Sequence, residues 1–269
     1  MPFNKFLGPT IVLAGPGTGK TTYLVKRSVD LIKSLDENAK GICISTFTRK
    51  AAEELQHRLS EQLSVKQINK VKLLVGTIHS LCFELLTQYS SDNYGDFEIL
   101  SEDSQVQFIF SKLANLGFSP DYIKGRGWVI SEELCTVFNK ITDEGIDVSS
   151  INFGTNEKLE DYCNVYSTYK RLLDRERLFD FATIQELFLK EMNSNPEFKK
   201  NIRDDYSYFL IDEYQDVNNI QDNIFKSLSS PEFNLTVVGD DDQSIYAFRG
   251  SNVEYIQHFT KWFQDIGVD

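Results

Sequence analysis

A chain of 269 residues with 41% hydrophobic and 25% charged residues has material for one large domain or two medium ones. Its formal net charge of −12 excludes a surface coated for indiscriminate nucleic-acid binding, although a local basic groove stays open. No apolar run approaches the ~20 residues of a membrane span, the N-terminus lacks the build of a signal peptide, and four scattered cysteines (Cys43, Cys82, Cys135, Cys163) without C-x-x-C spacing read as buried thiols of a reducing compartment.

The first predicted strand, Ile11–Ala14, runs into Gly15, Pro16, Gly17, Thr18, Gly19, Lys20, Thr21 and Thr22. This is an A-x-x-x-x-G-K-T phosphate-binding loop, with Ala14 where a glycine often stands. Its glycines permit backbone angles that turn consecutive N–H groups toward one anion. Lys20 can reach the β- and γ-phosphates, and the Thr21 hydroxyl suits a Mg²⁺ ligand position. A helix predicted from about Thr21 adds its positive end to the same spot.

Four further apolar runs read as buried parallel strands: Gly41–Thr46, Leu73–Thr77, Tyr208–Asp212 and Leu235–Gly239. Between the first strands lie helical patterns, Leu24, Leu31 and Leu35 on one face, then Ala52, Leu55, Leu59 and Leu63. The alternation predicts an α/β, parallel-sheet fold. Each strand runs into a polar cluster, and in open parallel sheets ligands bind at the carboxyl ends of the strands, so the clusters are expected along one edge. The second cluster is Thr46, Phe47, Thr48 and Arg49; the third is Thr77, His79 and Ser80. Hydroxyls, an arginine and helix-start N–H groups suit a phosphodiester backbone, or equally a polar helix cap. His79 is expected to position neighbours by hydrogen bonding, not to act as an acid or base.

From about Phe83 to Leu178 the pattern becomes helical. Val106, Ile109, Leu113 and Leu116 form a stripe stopped by Gly117, and Leu159, Tyr162, Tyr166, Tyr169 and Leu173 form another. Between them, GFSPDYIKGRGW reads as a loop. Thr183 and Glu186, where helical pattern resumes, have capping-box spacing.

YFLIDEYQD delivers Asp212 and Glu213 to the end of a strand. After a phosphate-binding loop in the same chain, Asp212 suits Mg²⁺ and Glu213 suits activation of a water. Gln215 and Asp216 extend the cluster. VVGDDDQSIYAFRG ends another strand in three acidic residues followed by Gln243, which can report a γ-phosphate. Tyr246 and Phe248 beside Arg249 suit base stacking on a single strand, or equally a core.

Together AGPGTGKT, TFTRKAAEEL, GTIHS, DFATI, IDEYQD and VGDDDQSIYAFRG resemble, in order and spacing, the UvrD/Rep-like superfamily-one DNA helicases. The resemblance implies a RecA-like P-loop ATP-binding motor domain over 1–85 plus 178–269, with a mainly helical, DNA-contacting subdomain inserted at 86–177. It implies ATP and Mg²⁺ as ligands, with Lys20 and Thr21 on phosphates and metal, Asp212 on Mg²⁺, Glu213 activating water and Gln243 sensing the γ-phosphate. Thr46, Phe47, Thr77, His79, Tyr246 and Phe248 would line a single-strand track, and Arg249 would join that track to the nucleotide. Further implied are 3′-to-5′ action on single-stranded and duplex DNA, a cytoplasmic setting (nucleoid-associated when on DNA), and no membrane partner.

Two features depart from the family pattern. No glutamine precedes Gln56, so the adenine-reading glutamine that relatives carry upstream of the loop has no counterpart. A second motor domain, which relatives use to supply arginines to the γ-phosphate, would have to come in cis or in trans beyond Asp269. The alternative reading is a non-motor, ATP-gated module that binds single strands without turnover.

Overall fold

The structure is a computed structural model that describes residues 7–15, 17–36, 39–151, 157–240 and 254–268. Five strands, β1 (Thr10–Leu13), β2 (Gly41–Thr46), β3 (Leu73–Thr77), β6 (Tyr206–Ile211) and β7 (Leu235–Gly239), form one sheet in the order β1-β7-β6-β2-β3. Every neighbouring pair is parallel. All five carboxyl ends therefore lie on one rim. β2 and β7 are buried along their full length, which is why their sequences lack polar alternation.

Helices Lys20–Ser34 and Arg49–Gln62 cover one face, burying Leu24, Leu31, Ile32, Leu55 and Leu59 against Ile42, Ile44 and Val238. Helices Ile78–Tyr89, Phe181–Ser194, Pro196–Asp205, Asn219–Ser229 and Phe259–Asp265 share the core on the other face with Phe209, Ile211 and Val237. The α/β parallel-sheet fold expected from the sequence is the fold observed. β1 begins at Thr10 and ends at Leu13, and β6 runs from Tyr206 to Ile211, so Ala14 and Asp212 stand just past their strands.

A separate helical core joins Ile109, Leu113, Phe138, Tyr166, Tyr169 and Leu173 from helices Glu102–Lys112, Gly127–Asp143 and Glu157–Arg175 and the turn that follows the first. In the second predicted stripe Tyr166, Tyr169 and Leu173 are buried, but Tyr162 is half exposed and the buried residue on that turn is Cys163; the Leu159 side chain lies outside what is described. The stretch read as a loop holds a one-turn helix, Pro120–Ile123, capped by Ser119, and its last glycine opens the helix Gly127–Asp143.

Two two-residue strands, β4 (Glu98–Ile99) and β5 (Leu178–Phe179), pair in parallel where the chain leaves and re-enters the sheet-bearing part. They are too short to leave a periodic trace in the sequence. At the same junction the helix starting at Phe181 is capped by Asp180, not by Thr183: Asp180 Oδ1 accepts the Thr183 N–H at 2.6 Å. Asp180 Oδ2 accepts from the Tyr169 hydroxyl at 2.5 Å and from Gln105 Nε2 at 3.1 Å. Glu186, the other member of the expected capping box, pairs with Lys170 at 2.5 Å.

Candidate nucleotide site and strand-end rim

β1 hands the chain to the glycine loop, and the Ala14 N–H donates to the Gly239 carbonyl at 3.0 Å, so the loop starts beside the end of β7. Gly17 (φ 70°) and Gly19 (φ 93°) adopt left-handed angles that an L side chain resists. Thr18 closes the turn through its hydroxyl, 2.7 Å from the Gly15 carbonyl. Gly17, Thr18, Gly19 and Thr22 are exposed, with Ala14, Gly15, Lys20 and Thr21 half-buried beneath them. Pro16 lies outside the described residues. The helix Lys20–Ser34 begins at Gly19 with no side chain capping it, which leaves its first N–H groups directed at the loop.

Lys20 Nζ lies 3.4 Å from Asp240 Oδ2 and 3.9 Å from Glu213 Oε2. It thereby joins the loop after β1 to the ends of β7 and β6. Asp212 is 6% exposed and its N–H donates to the Ser45 carbonyl at 2.9 Å. Burial, with the charge of Glu213 beside it, raises its carboxyl to about 6, against the opposing pull of the Glu213 N–H, Lys20 and the Thr21 hydroxyl. Asp216 is likewise raised to about 6 by burial and by Glu213, with Lys20 opposing. Its Oδ1 is buried with no hydrogen-bond partner. Glu213 has left-handed backbone angles (φ 53°, ψ 46°) and a side chain 37% exposed. Non-glycine residues hold that conformation only where their surroundings impose it.

These residues suit a triphosphate with Mg²⁺. The loop presents N–H groups and a lysine, and the deep Asp212 carboxylate, toward which the Thr21 hydroxyl exerts a small stabilising pull, has more negative charge around it than Lys20 alone offsets. Among the described residues no three or more carboxylate, imidazole or thiolate groups are gathered to hold a metal by themselves. Mg²⁺ typically takes one or two carboxylates and leaves its remaining positions to phosphate and water, as Thr21 and Asp212 allow.

The other half of the rim belongs to β2 and β3, whose last residues, Thr46 and Thr77, are paired. Thr46 is turned inward: it is 3% exposed and its hydroxyl donates to the Thr48 carbonyl at 3.1 Å. Thr48 caps the helix Arg49–Gln62 through the Ala51 N–H, and Thr77 caps Ile78–Tyr89 through the Ser80 N–H. Phe47 is half-buried and Thr48 and Arg49 are exposed. His79 is half-buried, with its ring 4.9 Å from that of Phe181. The rim thus divides into an acidic, lysine-bearing part at β1, β7 and β6 and a hydroxyl- and arginine-bearing part at β2 and β3. Gln243, Tyr246, Phe248 and Arg249 lie outside the described residues.

Elsewhere, part of the basic set of the helical unit is matched by carboxylates: Lys170 with Glu186, Lys112 and Arg175 with Glu176, and Arg177 with Asp96. Two partners in the site escape a reading of the sequence. Asp240 is visible there only as one of three acids, and Gln215 only as an extension of the DEYQD run. Their roles depend on β6 and β7 being neighbours, which no local pattern encodes.

A parallel sheet in this strand order, with a glycine loop after β1, an acidic pair after β6 and helices inserted between β3 and β6, is a RecA-like P-loop NTPase domain. The sequence profile of the UvrD/REP helicase N-terminal domain matches residues 2–264, and the chain belongs to that family. It is similar to DNA helicase II of Haemophilus influenzae (32% identity over 262 residues, 96% of this chain and 35% of the relative). It is also similar to DNA helicase II of Escherichia coli (33% over 261 residues, 94% and 34%). A third relative is the ATP-dependent DNA helicase Rep of Buchnera aphidicola subsp. Acyrthosiphon pisum (31% over 265 residues, 97% and 40%). The chain thus spans between 34% and 40% of the lengths of these curated relatives.

Proposed function

We propose that this chain is the ATP-binding motor portion of a DNA helicase or translocase, acting 3′ to 5′ when a second motor domain, in cis or in trans, completes it. The observation that carries the reading is the convergence of Lys20 on Glu213 and Asp240, which brings together the segments that follow β1, β6 and β7. The loop from Ala14 through Gly15, Pro16, Gly17, Thr18 and Gly19 to Thr22 would wrap the phosphates with backbone N–H groups, and Lys20 would leave the carboxylates for the β- and γ-phosphates. Thr21 and Asp212 would hold Mg²⁺, whose bound charge offsets that of the transferring phosphoryl group. Glu213 would orient the attacking water and take its proton, and Gln243 would sense the γ-phosphate. The relatives named as DNA helicases support this use of the family's fold.

Phe47, Thr48, Arg49, Thr77 and His79, with Tyr246, Phe248 and Arg249, would form the track for single-stranded DNA. Thr46 would support that track from beneath, given its inward hydroxyl. The helical unit, residues 86–177, would contact DNA beside the motor formed by 1–85 and 178–269. Four buried free cysteines suit a reducing, cytoplasmic setting, and among the described residues no helix is long and apolar enough to cross a membrane.

ATP turnover measured with and without single-stranded DNA tests the reading. The isolated chain is expected to turn over slowly, because arginines from a second domain are worth ~10³–10⁵ in rate. DNA should raise the rate, and Lys20→Ala should abolish nucleotide binding. Nucleotide binding unchanged in that variant would defeat the assignment.

A further inference from the structure

Gln215 stands between the two strand ends that bear the acidic residues, and its amide bonds to protein groups on both. It is 3% exposed. Its Oε1 accepts the backbone N–H of Asp240 at 3.0 Å. Its Nε2 donates to Glu213 Oε2 at 2.9 Å and to Asp216 Oδ2 at 3.4 Å. One planar amide therefore ties the carboxylate after β6 to the main chain at the end of β7. This needs a donor and an acceptor on one uncharged group, which asparagine and glutamine alone among side chains offer in this form. A carboxylate of the same shape would keep the acceptor, lose the donor, and add charge beside Asp212, Glu213, Asp216 and Asp240.

The packing records the same link. A Cβ on Gly239 would lie 2.7 Å from Gln215 Oε1 and 2.4 Å from Ile256 Cδ1, so the residue before Asp240 must lack a side chain for the amide to reach its partner. Glu213 itself holds left-handed backbone angles, and its carboxylate is aimed by what it touches: one oxygen, Oε2, meets both Gln215 Nε2 and Lys20 Nζ. Lys20 is the contact that nucleotide binding would remove.

We propose that Gln215 is a positioning residue of the hydrolytic site, its amide fixing the Glu213 carboxylate to the Asp240 main chain so that the water-activating group keeps its aim once Lys20 turns to the phosphates. This rests on Glu213 being the group that activates water. Gln215 touches no reacting atom; it acts through Glu213.

The test uses this chain with Mg²⁺ and ATP. Single-turnover hydrolysis in the presence of an oligothymidylate is read beside the nucleotide Kd and the exchange rate of the Asp240 amide proton. In Gln215→Ala the amide should exchange at least about tenfold faster, and hydrolysis should fall by about 10²-fold, the cost of a misaligned group. The Kd should stay within about threefold, because the lost interaction serves the transition state and not binding. Gln215→Glu should keep the amide protected, since its carboxylate still accepts, yet lose hydrolysis as the alanine variant does. A glutamine that merely fills space would not separate these readouts. Wild-type hydrolysis in Gln215→Glu overturns the proposal, as does an unchanged Asp240 exchange rate in Gln215→Ala; if the alanine variant does not fold, the glutamate variant decides. Nucleotide binding that survives Lys20→Ala defeats the nucleotide site itself, a separate result from wild-type hydrolysis in Gln215→Glu.

Discussion

Lys20 and Asp240 meet across 220 residues of sequence, Nζ to Oδ2 at 3.4 Å, and so pin the glycine loop to the end of β7. Both side chains are nearly buried, 11% and 2% exposed. Lys20→Ala should therefore destabilise the nucleotide-free protein as well as abolish binding, by about 1.5–3 kcal/mol for a charge-assisted contact. Asp240→Asn in the same chain should recover part of that loss by removing a buried charge. A double-mutant cycle on chemical denaturation measures the coupling, and additive single-site effects would show that the pair contributes nothing.

Asp212 should make the protein less stable as pH rises. Burial and the neighbouring Glu213 charge raise its carboxyl from 3.8 to about 6 in the folded chain. Between those values the folded state holds a proton that the unfolded state has released, so stability falls across that window and levels off above it. Asp212→Asn should match the wild type near about pH 4 and exceed it above about pH 6 by ~1–3 kcal/mol. The measurement is the Tm difference from acid to neutral pH; a gain equal at every pH would contradict a raised carboxyl as its cause. Such a variant trades the candidate Mg²⁺ site for stability.

Asp180 should be the most sensitive residue at the junction of the helical unit with the sheet. It is 2% exposed and accepts from Thr183, Tyr169 and Gln105 at once. Asp180→Ala loses a helix cap, worth ~1 kcal/mol, and strands buried donors at ~1–3 kcal/mol each. A denaturation midpoint lowered by the equivalent of about 3 kcal/mol is expected. A loss under ~1 kcal/mol would mean the site relaxes around the deletion.

Arg49 is exposed at the start of a helix on the β2 side of the rim. If it contacts phosphate, Arg49→Ala should weaken single-strand binding about equally for all sequences and reduce the salt slope by ~0.7. Titrations at several salt concentrations read both. An unchanged slope removes Arg49 from the track.

Much of this architecture is legible in local pattern. The runs at Gly41–Thr46, Leu73–Thr77 and Leu235–Gly239 became strands with those bounds; β2 and β7 lack polar alternation because both their faces are buried, whereas β3, at the sheet edge, is fully buried only at alternate residues and so departs from the buried strand expected of it. The glycine loop was legible because left-handed backbone at Gly17 and Gly19 tolerates few other residues. β4 and β5 were not, since two residues carry no period. Tyr162 broke its predicted stripe because helical spacing marks a face approximately, and the packing partners decide which residue on the turn is covered.

The chain by itself determined its α/β class, the loop at residues 14–22 and the supply of acids after two strands, because those depend on neighbours in sequence. Only the tertiary structure decided that β7 lies between β1 and β6. That placement brings Lys20 to Asp240 and lets Gln215 reach across to the next strand end. The physical reason is range: backbone angles and burial periodicity are set within a few residues, whereas hydrogen bonds between strand ends exist only after sheet order has brought distant segments within about 5 Å of one another.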